Sequence, residues 1–129
     1  MSTPGPASGP RPAVLLVDDE EMLLDAMRQT LEHEFAVDIA QTAEEATLLA
    51  GTRRYDVIVC DQLLPGEQGL EFFIRIAAQQ PASRRILVTG YINPDLISRS
   101  VRLGKLSACL LKPISSAELS RAIRAALAE

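Results

Sequence analysis

Five short apolar runs punctuate the chain, and four of them end abruptly in a polar residue. Ala13-Val-Leu-Leu-Val17 runs into Asp18-Asp19-Glu20-Glu21, and Val57-Ile-Val-Cys60 runs into Asp61. Arg85-Ile-Leu-Val88 leads to Thr89, and Leu106 to Leu111 leads to Lys112. Phe35 to Ala40 carries a weaker version of the same pattern. Runs without polar alternation predict strands covered on both faces, as in a parallel sheet. Between them the period changes to that of a helix. Leu23, Met27 and Leu31 recur at i, i+4 and i+8, with Leu24 and Ala26 widening the stripe. Thr42-Ala-Glu-Glu45 has the form of a capping box opening a helix through Leu48, Leu49 and Ala50, which Gly51 stops. After the turn residues Pro65-Gly66, a third helix is predicted from about Gly69 to Gln80, ended by Pro81. Asn93 caps a fourth with Pro94 at its first position; it carries Leu96, Ile97 and Val101 and stops near Gly104. Ser115-Ser-Ala-Glu118 is another capping box, ahead of Leu119, Ile123 and Leu127.

The order is strand then helix, five times, with short connections. Such alternation predicts a doubly wound α/β sandwich, (βα)5, whose five parallel strands are joined by right-handed crossovers. Residues 1–12 hold four prolines, two glycines and two serines and no apolar core, so they are expected to be a disordered leader before a single domain over 13–129. A net charge of -4 and a pI near 5.0 argue against a nucleic-acid-binding surface. Cys60 and Cys109 lie inside apolar runs and are expected to be buried free thiols, which suits a reducing compartment. No apolar stretch approaches the roughly 18 residues that span a bilayer. A cytoplasmic protein without membrane contact is expected.

In an open parallel sheet the carboxyl ends of all strands share one edge, where ligands bind. Asp18, Asp19, Asp61, Thr89 and Lys112 would therefore meet, however far apart they lie in sequence. Each has an ordinary explanation. The acids favour the positive start of the next helix, by about 0.3–1 kcal/mol; Thr89 satisfies a loop; Lys112 is a solvated charge. The last is the weakest, because the chain uses 11 Arg and only two Lys. A slim ammonium directly after Leu110-Leu111 suits a point contact better than a planar fork. Crowded carboxylates raise one another's pKa unless a cation relieves them. Mg²⁺ takes one or two carboxylates together with waters and phosphate oxygens, and an Asp carboxylate can itself accept a phosphoryl group.

Val-Asp-Asp-Glu (17–20), Val-Cys-Asp-Gln-Leu-Leu-Pro-Gly (59–66), Val-Thr-Gly-Tyr (88–91) and Leu-Lys-Pro (111–113) together resemble the response-regulator receiver domains of two-component signalling, over Ala13 to Ala128. The resemblance implies the flavodoxin-like strand order 2-1-3-4-5. It implies that Asp61 is the phosphoacceptor, that Asp19 ligates Mg²⁺ directly and that Asp18 holds it mostly through water. The backbone carbonyl of Leu63 would be the remaining protein ligand. Thr89 would be the hydroxyl that swings toward the phosphoryl group, Lys112 the cation that pairs with it, and Pro113 the family's cis-proline. A sensor histidine kinase or phosphotransfer protein would be the donor. The fourth helix, fifth strand and fifth helix would signal to a protein target or an output domain, with homodimerisation on phosphorylation as one route. A phosphoacceptor of this kind catalyses its own phosphorylation and turns over no separate substrate.

Several positions depart from the family pattern or add to it. The usual aromatic three residues before the lysine is replaced by Cys109, with Tyr91 the nearby aromatic. Leu63 and Tyr91 flank the phosphoacceptor with apolar bulk, from which slow self-dephosphorylation is expected. The stretch from Leu87 to Pro113 is also similar to receivers that precede cyclic-dinucleotide phosphodiesterase or histidine kinase domains. His33 falls at the polar end of the first helix and is expected at the surface, while Arg99, Arg102 and Lys105 are read as a solvated face. Three rival readings are a phosphorylation-independent, receiver-like interaction module, a haloacid-dehalogenase-type hydrolase and a flavodoxin-type flavin carrier. The hydrolase needs a second acid where Leu63 stands. The flavin carrier needs a phosphate loop where the chain places four acids.

Overall fold

The structure is a computed structural model that describes residues 11–91 and 93–129. Most of the expected leader, residues 1–10, lies outside the described residues. Ten elements alternate: β1 (Ala13–Val17), α1 (Glu21–Leu31), β2 (Ala36–Ala40), α2 (Ala43–Ala50), β3 (Val57–Asp61), α3 (Gly69–Gln79), β4 (Arg84–Thr89), α4 (Pro94–Leu103), β5 (Ala108–Leu111) and α5 (Ser116–Leu127). The strands form one parallel sheet in the order β2-β1-β3-β4-β5. This is the flavodoxin-like order. The direction of winding reverses at β1, so β1 and β3 become neighbours, with Val17 opposite Cys60.

Strand alternation divides the core in two. Leu15, Ile58, Cys60 and Leu87 face α2 and α3, where Phe72, Phe73 and Ile76 cover them. Val14, Leu16, Val57, Val59, Ile86 and Val88 face α1 and α5, against Leu24, Leu31, Leu119 and Ile123. Each such side chain contributes about 1.5–3 kcal/mol on leaving water. The paired burial explains why the central runs carry no polar alternation.

The helix starts follow the capping residues. Thr42 accepts from the Glu45 N–H at 3.0 Å, although the return bond from Glu45 goes to Gln41 N–H and not to the cap itself. Ser115 and Glu118 form the full reciprocal box, and Asn93 Oδ1 accepts from Asp95 and Leu96. Two strands are shorter than their apolar runs. Phe35 precedes β2 and is buried. Leu106 and Ser107 lead into β5, although Ser107 N–H already donates to the Arg85 carbonyl. Because β5 is the edge strand it is covered less completely, and Cys109 is half-buried, not buried as its apolar run predicts. Both cysteines are free. They sit on either side of Leu87 in register, with a whole strand between them.

Gly69 opens α3 because nothing larger fits there. A Cβ at this position would lie 2.5 Å from the Asp61 carbonyl oxygen and 3.0 Å from Leu87 Cδ1. Gly69→Ala should therefore destabilise the fold by about 1–3 kcal/mol, seen as a lower denaturation midpoint in urea with an unchanged slope. A wild-type midpoint would show that α3 does not press on β3 as described.

Candidate functional site

Asp18 and Asp61 end or follow strands β1 and β3, which the sheet order makes neighbours, and both are buried. Asp19 is exposed beside them. One carboxylate oxygen from each of Asp18, Asp19 and Asp61 lies within 4.8 Å of the others. Lys112, just past the end of β5, reaches across β4 to this cluster. Its Nζ stands 2.9 Å from Asp61 Oδ2, 3.4 Å from Asp18 Oδ2 and 3.9 Å from Glu20 Oε1. The Lys112–Pro113 peptide bond is cis. Thr89, the last residue of β4, is buried; its hydroxyl donates to the Tyr91 carbonyl at 3.0 Å and accepts from the Tyr91 N–H at 3.2 Å. The five residues singled out at strand ends are thus all at one edge.

The electrostatics follow from crowding and from what lies beneath. Like charges at such separations repel by roughly 3–4 kcal/mol at an effective dielectric of about 20. Under Asp18, Asp61 and Lys112 lies a cavity of about 40 Å³ lined by Leu16, Leu24, Met27, Val59 and Ile114, so the floor is apolar. Burial, and then the Asp61 charge, raise the Asp18 pKa, against the Glu20 N–H and Lys112, which favour its ionised form. Burial pulls Lys112 down, but its hydrogen bond to Asp61 and the charges of Asp18 and Asp61 outweigh this and leave its pKa raised. Lys112 is therefore firmly charged. Burial, with the Asp61 and Asp18 charges, also pushes the Cys60 thiol well up, so the residue next to Asp61 is an inert thiol and no nucleophile.

The donor set is oxygen only, anionic and partly open to solvent through Asp19. This fits a hard divalent cation such as Mg²⁺. Leu63 is on the same turn, its N–H donating to Asp61 Oδ1 at 3.2 Å. Leu63 is 72% exposed and Tyr91 is 71% exposed, so apolar bulk stands on both sides of the mouth. His33 is exposed, as are Arg99, Arg102 and Lys105. Reading by sequence missed two supports. Glu20 adds a third acid to the surroundings of Lys112. Gln62 is buried, its Oε1 accepting from the Leu70 N–H and its Nε2 donating to Gln68, which ties the turn after Asp61 to the start of α3. A polar residue directly after the buried run was the available signal for Gln62.

A family model described as the response regulator receiver domain matches residues 14–124. The hydrogenase transcriptional regulatory protein HoxA of Cupriavidus necator is 38% identical over 100 residues, covering 78% of this chain and 21% of HoxA. The chain thus spans about a fifth of that relative's length. Among solved structures, the signal receiver domain of an HD domain-containing protein from Pseudomonas fluorescens Pf-5 superposes with a TM-score of 0.85 at 34% identity, over 92% of this chain and 95% of that one. A CheY-like response regulator receiver domain protein from Methanospirillum hungatei JF-1 gives a TM-score of 0.85 at 28% identity, over 92% and 94%.

Lys112 is the cation that makes the acid cluster tolerable, so Lys112→Met should cost about 1–3 kcal/mol at neutral pH. A raised folded-state pKa means that ionised Asp18 opposes folding above that pKa and ceases to as pH falls through it. The penalty of Lys112→Met should accordingly be largest at neutral pH and shrink on acidification, as Asp18 takes up its proton. Urea titrations of both proteins across pH 4–8 measure this, and a penalty independent of pH would contradict it.

Proposed function

The chain belongs to the response-regulator receiver family, and from that premise we propose that it is a phosphorylation-controlled switch with Asp61 as the phosphoacceptor. The observation that carries this reading is Lys112 Nζ at 2.9 Å from Asp61 Oδ2, beside two further carboxylates whose oxygens lie within 4.8 Å. An ammonium already in place against the acceptor is preorganised for the charge that a transferred phosphoryl group brings. The donor would be phosphohistidine on a sensor histidine kinase or phosphotransfer protein, in the cytoplasm. An Asp61 oxygen attacks phosphorus in line; the P–O bond forms as the P–N bond breaks, and the departing imidazole nitrogen takes a proton from water.

Asp19, Asp61 and the Leu63 carbonyl would hold Mg²⁺, with Asp18 acting through water. When bound, the ion neutralises charge on the phosphoryl oxygens. The chain's own residues do the rest. Lys112 pairs with the new phosphoryl group. Thr89 Oγ1 now donates to the Tyr91 carbonyl, and a phosphoryl oxygen competes for the same hydrogen. Exchanging one acceptor for the other frees the Tyr91 carbonyl and the loop into α4, which shifts populations without a new fold. Residues 13–129 make up this receiver unit, and the face formed by α4, β5 and α5 would present the change to a protein target or output domain. Val101 and Leu111 are exposed apolar residues there. A homodimer through that face is one form the output can take.

With acetyl phosphate and Mg²⁺, the protein should gain one phosphoryl group that alkali or hydroxylamine removes, and Asp61→Asn should gain none. Absence of label in the wild type would favour the phosphorylation-independent module, for which Cys109 in place of the usual aromatic is the supporting feature. Leu63 and Tyr91 predict slow decay of the acyl phosphate, because apolar bulk at the mouth gives attacking water no partner. Leu63→Asn should therefore shorten the half-life several-fold in a chase of purified phosphoprotein; an unchanged half-life would remove Leu63 from the account.

A further inference from the structure

Two adjacent arginines begin β4, and strand alternation sends them to opposite faces of the sheet. Arg84 reaches the end of α5, its Nη2 2.9 Å from the Glu129 carbonyl oxygen. Arg85 turns the other way and is 5% exposed, yet no ion pair to an acid is found for it among the described residues. Its guanidinium donates to backbone oxygens instead. Nε bonds the Gly104 carbonyl at 3.0 Å; Nη1 bonds the Ser83 carbonyl at 3.0 Å, the Ser83 hydroxyl at 2.9 Å and the Gln80 carbonyl at 3.2 Å. Gln80 caps α3 and Gly104 caps α4. The cation thus sits between the negative ends of two helices and satisfies carbonyls that helix ends leave free.

The rest of α4 is held unequally. From Asn93 to Arg99 no described residue is buried, whereas Ser100 and Gly104 are. A Cβ on Gly104 would meet Leu70 Cδ1 at 3.2 Å and Phe73 Cβ at 3.6 Å, so this end lies close against α3. The opposite end of α4 follows the loop that the Thr89 hydroxyl holds through Tyr91. β4 therefore holds the C-terminal end of α4 by a buried guanidinium, and meets the chain ahead of its other end only through the Thr89 hydroxyl at Tyr91.

We infer that Arg85 is a positioning residue that pins the C-terminal end of α4, so that the helix moves only at the end that follows Thr89. The pinning belongs to the resting chain; its use in signalling rests on the phosphoacceptor reading above. A helix without such a pin frays at both ends, which makes the prediction asymmetric.

Amide hydrogen exchange by NMR on the full chain tests it, with the β1 and β3 amides as internal reference. In the wild type, Val101 to Gly104 should exchange at least tenfold more slowly than Leu96 to Arg99. Arg85→Met keeps the apolar stem and removes the donors; it should erase that difference while the reference amides hold. Arg85→Lys, which keeps the charge but offers a point donor, should lose part of the protection and covers the case in which the Met variant does not fold. Uniform exchange along wild-type α4, or a gradient unchanged in the folded variants, would overturn the inference. With Mg²⁺ and beryllium fluoride as a phosphoryl mimic, wild-type shifts should change at Tyr91 and the first turn of α4 and not at Gly104 and Lys105. Equal changes at both ends would also overturn it. No change around Asp61 would instead count against the phosphoacceptor reading, leaving the resting gradient to decide the role of Arg85.

Discussion

Three carboxylates face one ammonium at the carboxyl edge of the sheet, and much else in the molecule is arranged around that imbalance. Asp18 and Asp61 are buried over an apolar floor, where like charges repel more strongly than in water. Lys112 is drawn to them from the far strand and kept charged by them. One positive charge does not neutralise three acids and the nearby Glu20. The residual negative field is what makes the site receptive to a divalent cation, and in the proposed function the cation and Lys112 together are what make it receptive to a phosphoryl group. A site balanced by a second lysine would lose the field that draws the cation.

The strand order makes this crowding possible. Neighbouring strands lie about 4.8 Å apart, so an acid following β1 and an acid ending β3 meet only because β1 and β3 pair. The turn beyond Asp61 is held by side-chain hydrogen bonds: the Leu63 N–H donates to Asp61 Oδ1, and the Gln62 amide accepts from the Leu70 N–H and donates to Gln68. Gly69 lets α3 start against the Asp61 carbonyl. The surroundings of Asp61 are closely packed below and open above, where Leu63 and Tyr91 stand in solvent.

β4 connects the site with the α4–β5–α5 face that the proposed function assigns to partners. Thr89 at one end bonds Tyr91 in the chain that leads to α4, through a single exchangeable hydrogen, and Arg85 at the other bonds the carbonyl of Gly104 that caps α4. Beside α4, the edge strand β5 has one neighbour and partial cover, which leaves Cys109 half-buried and Leu111 exposed.

The sequence by itself determined the alternation of five strands and five helices, most of their caps, and the polar residues at four strand ends. Those signals are local: periodicity, a capping oxygen, a proline or glycine at a boundary. It also carried the motifs that place the chain in its family. The tertiary structure alone decided what depends on distant neighbours. It shortened β5 and left Cys109 half-covered, because a run of apolar letters does not say which strand is at the edge. It showed why the helix start expected near Gly69 must be glycine, since the oxygen that a Cβ there would meet belongs to Asp61. It gave Lys112 a third acid in Glu20. It also made Arg85, at the head of an apolar run in the sequence, a buried cation between two helix ends, because the carbonyls that hold it come from two separate stretches of backbone, at Gln80–Ser83 and at Gly104. Charge compensation of that kind has no period and no motif, and only the fold brings its parts together.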